Sequence, residues 1–267
     1  MDIELNNIYN CDCIDGLKSM QSNSVDLIIT SPPYNVGIDY DVYDDNKPYN
    51  EYLKWCELWM SECYRVLKDD GRICINHCFC THPTNSGGLS YFPLFDLKHL
   101  MENIGYQIQS VATWDDATLP KLTAWGSWMS ASSPFISVPY EGILIAYKKY
   151  WKKQHKGVST ISKEEFIEGC SGIWHIGTTS GYTKACFPEK LPHICINLLS
   201  YEDDVILDPF SGSGTTCYVA KGLKRNYIGF ELSSDYYIQS ISRLNGTPYK
   251  VINNKGKNEN NKTILWD

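Results

Sequence analysis

Long apolar runs are absent from this sequence. None approaches the roughly 18 residues that a membrane-spanning helix needs. The opening stretch Met-Asp-Ile-Glu-Leu also lacks the basic and apolar segments of a secretory signal. We therefore expect a cytoplasmic protein without a membrane span. The chain has no internal repeat and no Gly-Lys-Ser/Thr triplet, and the missing triplet excludes a P-loop nucleotide site.

Basic residues are in the minority, because 24 Lys and Arg against 31 Asp and Glu give the 267-residue chain a formal net charge of −7. The molecule as a whole would repel polyanions, so any contact with a nucleic acid must come from a local basic patch. Hydrophobic residues at 43% and charged residues at 21% exclude a disordered chain. In a chain of this length without a secretory signal, the 11 cysteines are expected to be reduced and mostly buried thiols, and their odd number agrees with this expectation.

The hydrophobic pattern predicts strands and helices in alternation. A β-branched run at 25–30 stops at a Ser-Pro-Pro loop, and apolar residues at helical spacing follow from 49 to 67. Strand, helix and strand at this spacing indicate a parallel α/β sheet. Further strands are predicted at 72–76, 143–147, 205–207 and 227–230, and a further helix at 191–200.

A glycine loop directly follows the strand predicted at 205–207. Its residues are Asp208, Pro209, Phe210, Ser211, Gly212, Ser213, Gly214, Thr215 and Thr216. Glycines let the backbone turn tightly and approach a ligand closely, and the following helix offers free N–H groups. Glu231 ends the next predicted strand, where a carboxylate can accept hydrogen bonds from both hydroxyls of a ribose. Together these features predict a site for a cofactor that contains adenosine.

The spacing of the glycines limits which cofactor fits. A dinucleotide fingerprint needs a third glycine, and Cys217 stands at that position. S-adenosylmethionine has no pyrophosphate to bind, so the Asp and the short Gly-x-Gly turn suffice for it. A glycine turn without a ligand is the alternative interpretation.

A proline loop follows the strand predicted at 25–30, with the residues Thr30, Ser31, Pro32, Pro33, Tyr34 and Asn35. Alone, Ser-Pro-Pro-Tyr also suits a polyproline linker. Directly after a buried strand, and combined with the glycine loop, it resembles the catalytic motif Asp/Asn/Ser-Pro-Pro-Tyr/Phe of the DNA amino-methyltransferases. The resemblance implies catalytic roles for Ser31, Pro32, Pro33 and Tyr34, with S-adenosylmethionine as cofactor and S-adenosylhomocysteine as product. It also implies double-stranded DNA as partner, and it allows an endonuclease for the same DNA site and a homodimer.

The residue types of the proline loop suit the activation of an exocyclic amine. Such an amine is a poor nucleophile because its lone pair is delocalised into the base. If the Ser31 hydroxyl and the Pro32 carbonyl each accept one N–H, the nitrogen can pyramidalise and direct its lone pair at the methyl sulfonium. Proline has no N–H to donate, so the loop offers acceptors. The Tyr34 ring would stack on a target base flipped out of the duplex.

The order of the loops, catalysis before cofactor, resembles the beta group of these enzymes, in which the methyltransferase domain is circularly permuted. The resemblance implies an α/β fold with a mostly parallel, Rossmann-like sheet and an inserted target-recognition region. We expect a catalytic half at 1–82, target recognition at 83–175, a cofactor-binding half at 176–246 and a polar tail at 247–267.

The same resemblance implies further cofactor contacts. Asp12 would lie beside the adenine, and the segment 187–191 would cover the methionine part. Neither segment is distinctive, since a surface Asp and a helix start are equally good interpretations. The expected cofactor-binding residues are Asp12, Cys13, Thr30, Lys190, Asp208, Pro209, Phe210, Ser211, Gly212, Ser213, Gly214, Thr215, Thr216, Glu231 and Leu232.

Position 31 bears on the choice of base. Serine there is typical of cytosine-N4 enzymes in this family and Asp of adenine-N6 enzymes, although either acceptor could serve either amine. We expect cytosine N4, with adenine N6 as the alternative. A carbon-5 cytosine enzyme is excluded because the chain has no Pro-Cys pair. A DNA-binding scaffold without activity, and an RNA or protein-amide methyltransferase, are weaker alternatives, given the intact loops and the long middle segment.

Three other clusters each allow two interpretations. Cys74, His77, Cys78, Cys80 and His82 crowd into nine positions but form no compact Cys-x2-Cys knuckle, so we predict buried thiols and no metal site. A basic run could contact phosphates or form a solvated loop; it consists of Lys148, Lys149, Lys152, Lys153 and Lys156. Trp125 and Trp128 could stack on DNA, although we expect them in the core.

Overall fold

The computed structural model describes residues 1–38, 40–81, 90–115, 126–136, 138–177 and 186–247. The strands in these ranges are β1 (Asn7–Asn10), β2 (Val25–Thr30), β3 (Leu67–Cys78), β4 (Gln107–Asp115), β5 (Tyr140–Tyr147), β6 (Ile173–His175), β7 (Val205–Asp208) and β8 (Asn226–Glu231). The helices are α1 (Cys13–Ser19), α2 (Tyr49–Val66), α3 (Pro93–Ile104), α4 (Lys163–Gly169), α5 (Lys190–Leu199), α6 (Thr215–Gly222) and α7 (Ser234–Leu244). None of these helices combines the length and apolar character that crossing a bilayer requires.

The strands form one sheet in the order β1-β8-β7-β2-β3-β5-β4-β6. Neighbouring strands are parallel, except that β5 runs antiparallel to both β3 and β4. The first strand pairs with the last one, since Asn7 lies opposite Ile228. The sheet confirms the expected mostly parallel α/β fold. Its strand order agrees with the expected circular permutation, because β1 near the start of the chain pairs with β8.

The two halves of the chain meet in the sheet where β2 lies beside β7. From this pair the sheet continues through β3 on one side and through β8 on the other. Loops leaving such a pair of parallel strands diverge and open a crevice at the carboxyl ends, where ligands bind in open α/β sheets. The proline loop after Thr30 and the glycine loop after Asp208 leave from these two ends.

Helix α2 illustrates how the layers pack on the sheet. Its buried side chains recur at intervals of three or four residues and form one apolar stripe; they are Tyr52, Cys56, Trp59, Met60, Cys63 and Val66. Helices α1, α2 and α3 share the core on this face, and α5, α6 and α7 share the core on the opposite face. The site therefore rests on a sheet that is covered on both sides.

The cysteines lie within the described residues as free thiols, and most are buried or half-buried, as expected. Cys74 contacts Cys195 of α5, and the Cys78 thiol lies 3.2 Å from Nδ1 of His77. Burial raises the pKa of the Cys78 thiol to about 12, with Glu141 adding to the effect. His82 lies outside the described residues.

The middle of the chain gives three strands, β4, β5 and β6, to the common sheet. The strand expected at 143–147 is part of β5. The assignment of 83–175 to target recognition stays a prediction. Trp128 is 70% exposed, so the expectation that it lies in the core is wrong; it sits in a loop closed by a bridge between Gly126 and Pro134. Trp125 lies outside the described residues.

The basic run begins at the end of β5, and two of its lysines, Lys148 and Lys153, are bound within the protein. Because β5 is antiparallel, this end lies at the amino ends of the parallel strands, away from both loops. Lys148 donates to Oδ1 of Asn23 at 2.7 Å and to the Leu67 carbonyl at 2.8 Å. Lys153 lies 3.3 Å from Asp26 and 3.2 Å from Asp204, and its side chain is 4% exposed. These contacts favour a structural role for Lys148 and Lys153 over contact with phosphates.

Replacing Lys153 by Ala is expected to lower the free energy of unfolding by about 3 kcal/mol, because two buried carboxylates lose their shared cation. The value sits at the low end for a broken buried pair since Lys68 still binds Asp26 at 2.7 Å. Urea unfolding followed by tryptophan fluorescence measures the change. Lys149→Ala is the control: its side chain is 53% exposed, and we expect a loss below about 0.5 kcal/mol. Equal losses in the two variants would contradict this assignment.

Candidate active site

The proline loop and the glycine loop are joined by a direct hydrogen bond. The Thr30 hydroxyl, at the end of β2, donates to Oδ1 of Asp208, at the end of β7, at 2.8 Å. Thr216 donates to the other carboxylate oxygen at 2.7 Å, and the Phe210 N–H donates to Oδ1 at 3.1 Å. The Asp208 carboxylate is therefore fixed in one orientation between the two loops.

Burial dominates the electrostatics of Asp208. Its removal from water raises the pKa of the carboxyl to about 6, against the opposing effect of the three donors. The group is thus mostly ionised at neutral pH while almost fully buried. A fixed buried carboxylate of this kind is a strong acceptor for a cationic or N–H-bearing ligand.

The glycine loop needs its glycines for their backbone conformation. Gly212 and Gly214 have φ values of 53° and 76°, in the left-handed region that other residues rarely adopt. A Cβ on Gly214 would come within 2.9 Å of Cβ of Ser240. Helix α6 starts at the next residue, so the turn brings the N-terminus of the helix to the edge of the sheet.

Glu231, at the end of β8, is bound to the glycine loop through its carboxylate. Oε2 accepts from the Gly212 N–H at 2.7 Å, and Oε1 accepts from the Ser233 N–H at 2.8 Å. Burial raises the pKa of Glu231 to about 7, and the charges of Asp208 and Asp41 add to the effect. This carboxyl group therefore titrates close to neutral pH.

A cleft of about 950 Å³, including its open mouth, lies between the two loops. Most of the predicted site residues line it: Asp12, Cys13, Ser31, Pro33, Asp208, Pro209, Phe210, Ser211, Gly212, Ser213, Thr215, Glu231 and Leu232. Phe187, in the segment expected to cover the methionine part, lines it as well. The structure thus brings together, around one cavity, residues from both ends of the chain.

The remaining predicted residues lie around the cleft without lining it. Thr30 and Thr216 donate hydrogen bonds to the Asp208 carboxylate, and Gly214 shapes the turn of the glycine loop. Pro32 and Tyr34 belong to the loop at the edge of the cleft. Lys190 starts α5, and its ammonium forms an ion pair with Glu168 on the surface. A contact of Lys190 with a cofactor stays a prediction.

One wall of the cleft was not anticipated from the sequence. It comes from the segment between β2 and α2, through Tyr40, Asp41, Val42 and Tyr43. Asp45 holds this segment, since its carboxylate accepts the N–H groups of Asn35, Val36 and Ile38. Asp41 in turn accepts the Ser233 hydroxyl at 2.6 Å, which ties the segment to the end of β8. The other unanticipated lining residues are Trp55, Cys186, Phe230, Ser233 and Tyr236.

The hydroxyl groups of the proline loop form an ordered network. Ser31 donates to the Tyr34 hydroxyl oxygen at 3.0 Å, and Tyr34 donates to Oε2 of Glu141 at 2.7 Å. Asn76 donates from Nδ2 to the Tyr34 oxygen at 2.7 Å and to Glu141 at 2.6 Å. Burial, with the nearby Glu141, raises the pKa of Tyr34 well above its usual value, so its hydroxyl stays protonated.

The Tyr34 ring stacks on the imidazole of His77, with centroids 4.1 Å apart and planes at 24°. Burial lowers the pKa of His77 to about 3, so the ring is neutral. The Tyr52 hydroxyl donates to the Pro33 carbonyl and lies 2.9 Å from Nε2 of His77. Because that hydroxyl has a single proton, Nε2 is the donor in the second contact. One face of the Tyr34 ring is thereby occupied by His77.

The sheet order, the cofactor-type cleft and the adjoining Ser-Pro-Pro-Tyr loop define an α/β methyltransferase. A DNA modification methylase from Thermus thermophilus, crystallised with S-adenosyl-L-methionine, is 25% identical, with a TM-score of 0.73 and coverage of 89% of this chain and 92% of that one. The PvuII DNA methyltransferase (cytosine-N4-specific) shares the fold at a TM-score of 0.69 and 20% identity, over 96% of this chain and 89% of its own.

Sequence relatives agree with the structural ones. The type II methyltransferase M.MjaVI of Methanocaldococcus jannaschii is 44% identical over 58% of this chain and 78% of its own length. M.HpaI of Haemophilus parainfluenzae is 31% identical over 87% of this chain and 72% of its own. The model of the N6/N4 DNA methylase family matches residues 25–242. The chain belongs to this family and is a DNA amino-methyltransferase.

Proposed function

We propose that this protein transfers a methyl group from S-adenosylmethionine to the N4 amine of cytosine at a specific site in duplex DNA. One observation carries the proposal. The Ser31 hydroxyl donates a hydrogen bond to the Tyr34 oxygen, so the lone pairs of Ser31 Oγ remain available to accept an amine N–H. This acceptor stands at the edge of the cleft that Asp208 and Glu231 line.

The cleft residues fit S-adenosylmethionine by their chemistry. Glu231 offers carboxylate oxygens to the ribose hydroxyls, and the aromatic wall of Tyr40, Tyr43 and Phe230 suits the adenine. The fixed carboxylate of Asp208 suits the ammonium of the methionine part. When bound, the cofactor supplies an electrophilic methyl group on its sulfonium. The Thr30–Asp208 hydrogen bond fixes the position of the cofactor-binding loop relative to the loop that binds the amine.

The proline loop makes the target nitrogen nucleophilic. Ser31 Oγ and the Pro32 carbonyl each accept one amine N–H, which holds the lone pair out of conjugation and toward the cleft. The base stacks on the face of Tyr34 opposite the one that His77 covers. Base flipping is required, because the amine cannot reach a buried loop from within a duplex.

The choice of cytosine over adenine rests on Ser31, a neutral acceptor at a position where Asp is typical of adenine-N6 enzymes. The PvuII enzyme, cytosine-N4-specific by name, shares the fold. Adenine N6 with the same mechanism is the alternative. We assign target recognition to residues 83–175 and treat an endonuclease for the same site as a further partner.

Identifying the methylated nucleoside tests the base assignment. The protein is incubated with labelled S-adenosylmethionine and unmethylated duplex DNA of mixed sequence, and the DNA is digested and analysed by mass spectrometry. N4-methylcytosine is the expected product. N6-methyladenine would overturn the assignment based on Ser31, and label found in RNA or protein alone would overturn the choice of substrate.

The raised pKa of Glu231 predicts that cofactor binding weakens in mild acid. Its pKa in the free protein is about 7, and the ribose hydroxyls need the ionised carboxylate as acceptor. As the pH falls from about 8 to about 6, protonation of Glu231 should raise the Kd for the cofactor roughly tenfold. Calorimetric titration at several pH values measures this change. Glu231→Gln should bind more weakly and lose most of the pH dependence; an undiminished dependence would assign it to another group.

A further inference from the structure

A line of hydrogen bonds leads from Ser31 away from the cleft and ends on a carboxylate. Ser31 donates to Tyr34, and Tyr34 donates to Oε2 of Glu141. A carboxylate oxygen can only accept, so Glu141 sets the direction in which both hydroxyl protons point. Reversing the line would point the Ser31 lone pairs elsewhere and remove an acceptor from the amine.

The sheet places Glu141 at this point. It stands on the antiparallel strand β5 opposite Cys78 of β3, two residues beyond Asn76. Asn76, which is 3% exposed, donates from one nitrogen to both the Tyr34 oxygen and Glu141. Because Asn76 donates to the Tyr34 oxygen, that oxygen is the acceptor in this contact. The Tyr34 hydroxyl proton therefore points to Glu141.

Other titratable groups near the loop have different partners. Asp45 accepts three backbone N–H groups of the segment that follows the loop. Asp208 is bound by Thr30 and Thr216. His77 contacts Tyr34 through its ring face and directs Nε2 at Tyr52. Among the residues that the structure describes, the carboxylate in hydrogen-bond contact with the Tyr34 hydroxyl is that of Glu141.

We propose that Glu141 is the positioning residue of the amine-activating loop: through Tyr34 it orients the Ser31 hydroxyl, and it receives the proton that the methylated amine releases. This inference rests on the proposed function, in which Ser31 accepts an N–H of the target amine. It adds a residue from β5, distant in the sequence from both loops, to the chemistry of the site.

The proton transfer balances. Methyl transfer forms a nitrogen–carbon bond and breaks the carbon–sulfur bond, whose electron pair stays on sulfur. The nitrogen, now positively charged, releases one proton to Ser31 Oγ. Ser31 passes its own proton to Tyr34, and Tyr34 passes its proton to Glu141. Both hydroxyls are restored, Glu141 becomes a neutral carboxylic acid, and it returns the proton to water between turnovers.

A double-mutant cycle between Ser31 and Glu141 tests the proposal. We would measure single-turnover methylation of duplex DNA by wild type, Ser31→Ala, Glu141→Gln and the double variant, together with cofactor Kd and Tm. Glu141→Gln keeps the shape and removes the charge. We expect at least about a tenfold lower rate with unchanged cofactor Kd. With Ser31 already replaced, Glu141→Gln should cost less than about twofold more, because the line is already cut.

The controls separate this inference from the proposed function. Glu202 lies just before β7 and forms an ion pair with Lys224. Glu202→Gln removes this carboxylate, and the methylation rate of the variant should match that of wild type. Tyr34→Phe keeps the ring and breaks the line, and should lower the rate as Glu141→Gln does. If Ser31→Ala retains full rate, the proposed function fails. If Ser31→Ala is slow but Glu141→Gln is as fast as wild type, or costs as much without Ser31 as with it, only the role of Glu141 fails.

Discussion

Ser31→Ala should lower the single-turnover rate of DNA methylation by roughly a hundredfold or more while leaving cofactor affinity within about twofold of wild type. The hydroxyl accepts an amine N–H that bonds most strongly as the nitrogen pyramidalises, so its loss is felt in the transition state. Its structural partner is Tyr34, which keeps its bonds to Asn76 and Glu141. Rapid-quench measurement with labelled cofactor gives the rate, and calorimetry gives the affinity.

Ser61→Ala is the matched control for this change. Ser61 is exposed on α2, and its hydroxyl donates to the Glu57 carbonyl, far from the proline loop. Its rate should equal that of wild type. An equal loss of rate and of cofactor affinity in Ser31→Ala would assign Ser31 to the cofactor cleft and refute its role in activating the amine.

Asp208→Asn should weaken binding of S-adenosylmethionine by roughly a hundredfold, because a hydrogen bond between charged groups and the attraction for a cationic ligand are both lost. The fold should survive. Oδ1 can still accept from Thr30 and Phe210, and the Thr216 hydroxyl can rotate to accept from the new amide. Since burial raises the pKa of this carboxyl to about 6, a neutral side chain is also easier to bury than the charged one.

Asp203→Asn controls for the loss of a negative charge near β7. Asp203 occupies a left-handed turn position with φ of 65°, which Asn tolerates, and it lies at the end of β7 opposite the cleft. Its cofactor affinity should be unchanged. An Asp208→Asn protein that binds the cofactor as tightly as wild type would show that this carboxylate is not part of the cofactor site.

The two loops could be predicted from the sequence because the residues that define each loop are adjacent in the chain. A β-branched strand ending in Ser-Pro-Pro-Tyr, and another ending in Asp-Pro-Phe-Ser-Gly-Ser-Gly, specify local conformation and ligand chemistry together. Parallel strands then force the two loops to one edge of the sheet. The hydrogen bond between Thr30 and Asp208, which are 178 positions apart in the chain, agrees with that expectation.

Glu141 could not be predicted in the same way. Its relation to Tyr34 depends on the antiparallel register of β5 against β3, which aligns Glu141 with Cys78. No local motif encodes that register. The cleft wall of Tyr40 to Tyr43 is similar, because a loop without periodicity takes its path from the Asp45 and Asp41 hydrogen bonds. The role of Lys153 was ambiguous because its buried partners, Asp26 and Asp204, are distant in the sequence.

In the proposed active site, a single chain joins the amine-activating loop and the cofactor loop. Mixing the Ser31→Ala and Asp208→Asn proteins at saturating DNA, with the cofactor held near its wild-type Kd so that Asp208→Asn stays almost unoccupied, tests it most directly. Each variant lacks one half of the same site, so the methylation rate of the mixture should equal the average of the two separate rates. A mixture that recovers a large part of the wild-type rate would contradict the claim, because the two loops would then act from different chains.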